Sequence, residues 1–549
     1  MATLQSPFLR LPREMRDQIY HEYLMLGTEG GYTYDFTANK LRTTDQKPID
    51  LSLMYTCRLI AAEMHGLALR THTITFTTLY SDELRARAGR WDFLMTLPLQ
   101  PWVAKAIAGR MSPATVEEVT QRCDGFPFHS EFQLIRTGEA PGSYYWCWTF
   151  GDIPSVYRQV RREVLQHGIA DPVAHSYLVS LHKPVHGGST RRVSTCHPET
   201  FLAADKEPWR IPTHAELDAL AEAMLRNADE EARARWENWG GAHAASTSTE
   251  VHDRSSKSFW DADPGKFRFS AAAAAIHFLS STSANTRRQI RRVVLDEDRR
   301  AVASPECHIQ GLVPFCLENP LMTVERRVNL WRNIFLPREH AVNRNFDILK
   351  WGAPFSPSKD RLPTRGLSKA LAHWLCEAAL VPTIPDTVTL LVDDSPNPEL
   401  ASEIFQEIVH RDAAWQTATD RYFALGDPAV EAWSALTKTA SSSYQCRGFP
   451  ELLSQLCCEH SHGKASRVTF NFEPGTPWDE DSVDQIIEEG KELAQGEIMY
   501  WGLGNMEPSG YDLGPSLPGF QDLVDEMLLV QGEPMFPQYV DIARGRIRD

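Results

Sequence analysis

The sequence has no long apolar run. No stretch approaches the roughly 18 uncharged apolar residues that a membrane span needs, and residues 1–18 are polar and mixed in charge, unlike a secretory signal. Its ten cysteines are scattered without a repeated spacing, which excludes a disulfide framework. These absences predict a protein of a reducing compartment, cytoplasmic or nuclear, without a membrane span.

The chain also lacks an excess of basic residues. Its formal net charge is −16, which makes nucleic acid an unlikely partner because phosphate binding needs clustered Lys and Arg. Most of this charge lies in residues 473–533, where fifteen acidic residues face one base, Lys491. Such a region can steer a basic partner or simply keep a surface soluble.

Length and composition divide the chain into four regions. A chain of 549 residues is too long for one core. We predict an α+β protein with a helical module at 1–80, a mixed α/β middle region at 81–227, and a flexible linker or loop at 228–265. A C-terminal α/β domain follows at 266–549 and contains the acidic region. The linker is predicted because charged and small residues dominate there and few aliphatic residues remain.

The first region has a clear helical periodicity. Pro12 suits a first-turn position, and Met15, Ile19, Tyr23 and Leu26 recur at intervals of three or four, which places them on one helix face. A short hairpin is expected near residues 32–36. A second helix is expected over 51–69, and alternating threonines predict a strand over 71–78.

Strand and helix patterns continue beyond this region. In the middle region, helical patterns appear over 82–97 and 153–167, and an aromatic strand-like run over 144–150. Strands are predicted at 292–295, 387–392 and 467–472, each accompanied by helical patterns. Alternation of this kind is typical of a layered sheet-and-helix domain with parallel strands.

Two motifs in the first region resemble a known module. The run from Phe8 to Tyr20, with Leu11-Pro12 and Glu14 followed by Ile19, resembles the opening of F-box modules. The run from Met54 to Glu63, with its Cys57-Arg58 pair, resembles their later helix. The similarity is greatest to F-box-like modules of uncharacterised proteins of filamentous fungi, and residues 267–327 also resemble that group.

The resemblance implies a protein-interaction adaptor of the kind that serves as a substrate receptor of a cullin-RING ubiquitin ligase. The module would bind the linker subunit of the ligase, and the remainder of the chain would capture a substrate. The implied partner-binding residues are Leu11, Pro12, Ile19 and Leu24, which would lie in a groove of the partner. The two motifs lie 46 positions apart, with a Gly- and Thr-rich insertion between them. The alternative is a structural or scaffold protein without a ligase link, in which this helix is simply part of the core.

A third hypothesis is a carboxylate- or metal-dependent enzyme. Acidic residues follow each of the three predicted strands, at 296–298, at 393–394 and at Glu473, where α/β sheets often form catalytic sites. Against this hypothesis, the sequence contains no phosphate-binding Gly-rich loop, no nucleophile elbow and no metalloprotease motif. We therefore assign no catalytic residue and no cofactor.

Two further clusters have ordinary explanations. Cys457, Cys458, His460 and His462 could suggest zinc, but adjacent cysteines rarely bind one ion, so no metal site is assigned. The arginines at 287–288, 291–292 and 299–300 form the main basic cluster, which is expected to be a solvated surface paired with the acidic residues at 296–298.

Overall fold

The structure is a computed structural model that describes thirteen ranges of the chain. The described residues are 6–26, 31–96, 110–122, 153–181, 206–225, 268–335, 361–362, 367–395, 397–424, 444–493, 511–512, 529–530 and 533–534. The aromatic run at 144–150, the linker at 228–265 and much of the acidic region lie outside these residues.

A seven-stranded sheet forms the centre of the described structure. Its strands are β1 (Tyr32–Asp35), β2 (Lys40–Thr43), β3 (Thr73–Thr77), β4 (Arg292–Glu297), β5 (Thr323–Asn329), β7 (Val388–Asp393) and β8 (Val468–Phe470). Their spatial order is β2-β1-β3-β4-β5-β7-β8. Only the β1–β2 hairpin is antiparallel, and all other neighbours in this sheet are parallel. Two-residue strands form two small pairs, namely β6 (Arg361–Leu362) with β9 (Tyr511–Asp512) and β10 (Leu529–Val530) with β11 (Glu533–Pro534).

Sixteen α-helices are present in the described ranges. They are α1 (Arg13–Met25), α2 (Arg58–Met64), α3 (Leu67–Thr71), α4 (Asp82–Thr96), α5 (Pro113–Arg122), α6 (Pro154–Ala170), α7 (Pro172–Leu181), α8 (His214–Leu225), α9 (Ala271–Ser281), α10 (Ala284–Arg287), α11 (Val313–Glu318), α12 (Leu367–Leu380), α13 (Pro398–Ile404), α14 (His410–Ala424), α15 (Phe449–Ser461) and α16 (Glu480–Leu493). Short 3₁₀ segments occur at Pro7–Arg10, Ser52–Tyr55 and Pro305–Leu312, and π-helical turns at Leu330–Ile334 and Phe405–Val409.

The two faces of the sheet differ in composition. One face buries apolar side chains such as Leu295, Val324 and Leu390 beneath α4, α9 and α12. The alternating positions of the same strands carry polar residues, among them Glu325 and Arg327, which are 43% and 48% exposed. The strands therefore follow the two-residue period of a sheet with one buried face.

The N-terminal region and the C-terminal strands belong to this one sheet. Strand β3 pairs with β1 on one side and with β4 on the other, so the region predicted at 1–80 contributes strands to the same sheet as the C-terminal region. Gly31 has a φ of +78°, and an added Cβ would lie 2.5 Å from the Thr73 carbonyl oxygen. Only glycine avoids both the strain and the clash where the chain enters the sheet.

The α+β class is confirmed, and all three C-terminal strand predictions match observed strands. The hairpin and the helix at α1 are also observed. The single second helix was wrong, because the segment breaks into a 3₁₀ turn, α2 and α3. The breaks fall where Cys57 is extended and where Gly66 has a φ of +70°. In the seven-stranded sheet, the strand that the sequence did not predict is β5, which lies in the middle of the parallel ladder.

Candidate functional site

Helix α1 is attached to the rest of the N-terminal region by one buried carboxylate. Glu63 on α2 accepts a hydrogen bond from Arg16 Nη2 at 2.6 Å and one from the Tyr20 hydroxyl at 2.6 Å. The hydrogen bond from Arg16 is the main reason why the pKa of Glu63 falls to about 2. Leu24 packs beside Tyr20 in the same small core, so this face of α1 is turned inward.

Another face of α1 is apolar and exposed. Met15, Ile19 and Leu26 are 47%, 37% and 77% exposed, and Pro12 at the start of the helix is also exposed. At about 100° per residue, these four positions lie within one narrow stripe along the helix. The hydroxyl of Tyr23, beside this stripe, accepts a hydrogen bond from the backbone N–H of Leu53. The stripe therefore borders the 3₁₀ segment Ser52–Tyr55, whose Tyr55 is 82% exposed. We call Pro12, Met15, Ile19 and Leu26 the α1 stripe.

The four implied partner-binding residues do not share one environment. Pro12 and Ile19 lie in the α1 stripe. Leu11 is half-buried, and its carbonyl accepts a hydrogen bond from the Arg16 guanidinium. Leu24 is 4% exposed and belongs to the core of the N-terminal region. The exposed residues Met15 and Leu26 were identified from the sequence as part of the periodic face, although not as contact residues.

A second group of polar residues is buried beneath the sheet. Glu297 at the end of β4 is fully buried, and its carboxylate accepts hydrogen bonds from Arg326 Nη2 on β5 at 2.9 Å and from the backbone N–H groups of Ala271 and Ala272. Arg326 also donates to two backbone carbonyls and lies 4.2 Å from the centre of the Trp374 ring. This ion pair joins β4, β5, α9 and α12.

A serine and a histidine in this region have a geometry that resembles a catalytic pair. Ser270 Oγ lies 2.7 Å from His308 Nδ1, while His308 Nε2 lies 2.9 Å from the Ala303 carbonyl. Burial lowers the pKa of His308 to about 3, so the ring is neutral and donates to that carbonyl. Ser270 is the N-cap of α9, since its hydroxyl accepts the N–H of Ala273. Both side chains are buried, and their contacts are those of a helix cap.

The carboxylates proposed for an enzyme are spread along one edge of the sheet. Asp296 on β4 and Asp393 on β7 are two strands apart, about 10 Å at normal strand spacing. Burial raises the pKa of Asp296 to about 6, whereas Asp393 accepts hydrogen bonds from Asn329 and Asn471. Glu473 lies beyond β8 and is 67% exposed. The Asp393 carboxylate also contributes to the raised pKa of Asp296, so these two groups lie near each other, whereas Glu473 is exposed beyond β8.

The cysteine and histidine residues of α15 also point to different neighbours. Cys457 is buried with its Sγ 3.9 Å from His410 Nε2, whereas Cys458 is exposed beside His462. His460 instead faces Glu473. Within the described ranges, no group of three His, Cys, Asp or Glu side chains is arranged as metal ligands would be.

The main basic cluster is only partly the solvated surface that was predicted, since Arg288 and Arg292 are exposed but Arg300 is buried at 8% exposure. Arg287 pairs with Glu318 at 2.6 Å, and Arg299 lies 3.5 Å from a carboxylate oxygen of Asp298. The expected pairing with the acidic residues at 296–298 is thus observed for Arg299, while Arg287 uses a different partner.

Comparison of the sequence and the fold with models of protein families, with curated proteins and with solved structures finds no match. In the described part of the chain, no helix is both long enough and apolar enough to cross a membrane. The functional argument therefore depends on the surfaces themselves.

The sequence analysis missed Arg326, Ser270 and His308. For Ser270 a signal was available, since a serine directly before the run Ala271–Ala275 is a typical helix N-cap. For Arg326 the sequence contains no such signal. A buried arginine in a charged run looks the same as a solvated one until its bonded carboxylate, here Glu297, is known.

Proposed function

We propose that this chain is a protein-interaction adaptor whose N-terminal region binds a partner through the α1 stripe. The observation that carries the proposal is the exposure of Met15, Ile19 and Leu26 on a helix whose other face is tied to Glu63. Scattered surface apolar residues are normal, but Pro12, Met15 and Ile19 stand at i, i+3 and i+7, which is the spacing that a helix presents to a partner's groove.

The partner that we propose is the linker subunit of a cullin-RING ubiquitin ligase. The support is the resemblance of the two N-terminal motifs to F-box modules, together with a stripe that contains Pro12 and Ile19 of the first motif. The remainder of the chain would then hold a substrate protein in the cytoplasm or nucleus. Because β1 and β3 of the N-terminal region lie in the same sheet as β4, a substrate held by the remainder of the chain would stay at a constant distance from the ligase.

The test is binding of the full-length chain to purified linker subunit, measured by calorimetry or co-purification. Met15→Ala/Ile19→Ala should weaken binding roughly tenfold or more, since central apolar contacts commonly contribute over about 1 kcal/mol each. The matched control is Gln18→Ala/His21→Ala, which changes two exposed residues of the same helix away from the stripe. Leu11→Ala/Pro12→Ala is less suitable, because Leu11 and Pro12 also support the start of α1.

If wild-type protein does not bind the linker subunit, the ligase proposal is wrong. Equal affinity of the stripe and control variants would show that α1 is not the contact. The alternative of a structural or scaffold protein without a ligase link then takes its place.

A further inference from the structure

Two exposed leucines lie at the edge of the central sheet where its parallel strands begin. Leu317 and Leu321, around the segment that leads from α11 into β5, are 69% and 66% exposed. This segment is tied to the one that leads into β4, because the Thr323 N–H donates to the Arg291 carbonyl at 2.8 Å. Since β4 and β5 are parallel, both segments lie at the same edge.

The charge around these leucines is positive. Arg288 and Arg292 are exposed, and Arg291 is half-buried. Arg287 pairs with Glu318 at 2.6 Å, and Glu318 is the only acidic residue within 287–292 and 313–323. Four arginines and one carboxylate therefore give this edge a local charge of +3, on a chain whose net charge is −16. We call the two leucines and the arginines at 287–288 and 291–292 the leucine patch.

A patch of the opposite charge surrounds an exposed tryptophan. Trp478, in the segment between β8 and α16, is 38% exposed. Four acidic residues that follow it are also exposed, namely Asp479, Glu480, Asp481 and Asp484. Arg421 pairs with Glu480 at 2.5 Å, so four carboxylates and one guanidinium give a local charge of −3. We call Trp478 and these four acidic residues the tryptophan patch.

The two patches lie at opposite edges of the sheet. The leucine patch is at the beginning of β4 and β5, whereas the tryptophan patch follows the end of β8, which runs in the same direction. The seven residues of β5 separate these edges by about 20 Å, because a strand rises about 3.3 Å per residue. Contact between the two patches therefore requires a second molecule.

We propose that the leucine patch of one molecule binds the tryptophan patch of a second copy of this chain, in a head-to-tail contact. This inference is independent of the proposed docking through α1, since neither patch contains a residue of the α1 stripe. The opposite charges of the patches orient the two molecules, and the contact buries the leucines against the tryptophan ring.

The two patches are different surfaces, so the contact is heterologous and leaves one patch of each kind free at the ends of a pair. Few side chains take part, which places the interface in the small class, below about 1,200 Å² in total. The association is therefore weak and depends on protein concentration. A second copy is favoured over an anionic membrane, because the chain itself carries the complementary patch while its net charge of −16 opposes approach to an anionic surface.

The test is analytical ultracentrifugation of the full-length protein over a roughly hundredfold range of concentration. Wild type should change from monomer to associated forms as its concentration rises. Raising the ionic strength from about 0.1 M to about 1 M shortens the Debye length from about 10 Å to about 3 Å, and it should weaken the association roughly tenfold or more.

Two variants remove the apolar part of one patch each. Leu317→Ser/Leu321→Ser and, separately, Trp478→Ala should each weaken self-association roughly tenfold or more. The matched control is Val173→Ser, which changes a side chain of α7 that is 61% exposed and belongs to neither patch. It should associate as wild type does. All four side chains are exposed, so the circular dichroism of the variants should stay native.

A mixture of the leucine and tryptophan variants tests the head-to-tail arrangement. Each mixed pair keeps one intact patch of each kind, so the mixture should form one-to-one pairs and nothing larger. The proposal is wrong if the mixture stays monomeric, or if only one of the two variants loses self-association. It is also wrong if wild type stays monomeric throughout, including the case in which it binds vesicles of phosphatidylcholine and phosphatidylserine instead.

Discussion

Replacing Glu297 by glutamine removes one charge from the most deeply buried ion pair in the described ranges. The side chains of Glu297 and Arg326 are 0% and 4% exposed, and each also bonds backbone groups. Glu297→Gln leaves the guanidinium of Arg326 buried without its directly bonded carboxylate. Breaking a buried pair from one side costs about 3–5 kcal/mol, because the remaining charge has lost water and gained no partner.

The opposite face of the sheet provides a matched control. Glu325 and Arg327 form a second Glu–Arg pair at 2.5 Å, but their side chains are 43% and 48% exposed. Water screens this pair, so Glu325→Gln should cost only about 0–1 kcal/mol. The two substitutions make the same chemical change on the two neighbouring strands β4 and β5, and they differ mainly in burial.

The loss of stability in each variant is measured by urea unfolding, followed by tryptophan fluorescence and circular dichroism. With a slope near 3 kcal/mol/M, Glu297→Gln should lower the midpoint by about 1 M or more. Trp374 lies against Arg326 and should sense the loss. Midpoints of the two variants within the error of each other would refute the reasoning. A double variant with Met at both Glu297 and Arg326 should recover much of the loss, because no unpaired charge remains.

Burial raises the pKa of Glu377 to about 7 from an ordinary 4.5, so the folded state binds the extra proton and stability falls as pH rises from 4.5 through 7. The stability of Glu377→Gln relative to wild type should therefore be greater at pH 8 than at pH 5. The same difference in urea midpoint between variant and wild type at both pH values would contradict this. Gly31→Ala should lower the melting temperature more than Gly463→Ala does. Both glycines have a positive φ, but only at Gly31 would the added Cβ lie against a backbone atom. Equal losses of melting temperature would disprove the clash. Leu24→Ala should lower the free energy of unfolding by about 2–5 kcal/mol, because it truncates a core side chain, and Ile19→Ala should lower it by less than about 1 kcal/mol. If urea unfolding gave the reverse order, the Ile19 face of α1 would be the buried one.

Local patterns predicted much of the secondary structure. In α16 the spacing of Val483, Ile486 and Ile487 indicated the face that the structure buries. Alternation predicted β7 within one residue at each end. The same reasoning located α1 and its apolar stripe, because a helix with period 3.6 can be recognised without its neighbours. It did not say which side of α1 faces the core, since both sides of the helix carry large side chains.

The sequence by itself determined where most helices and strands begin and which residues line each face, since those properties depend on neighbours in the chain. Only the tertiary structure decided that β5 is a strand in the middle of the sheet. Its run Thr323–Asn329 contains three charged residues, and Arg326 is tolerated there because Glu297 and Trp374 come to it from other elements. Tertiary structure likewise joined β3 to β4 across more than 200 residues, turned Leu24 inward and left Ile19 exposed. Burial of a charge or of one helix face depends on contacts that are distant in sequence, and no local pattern records them.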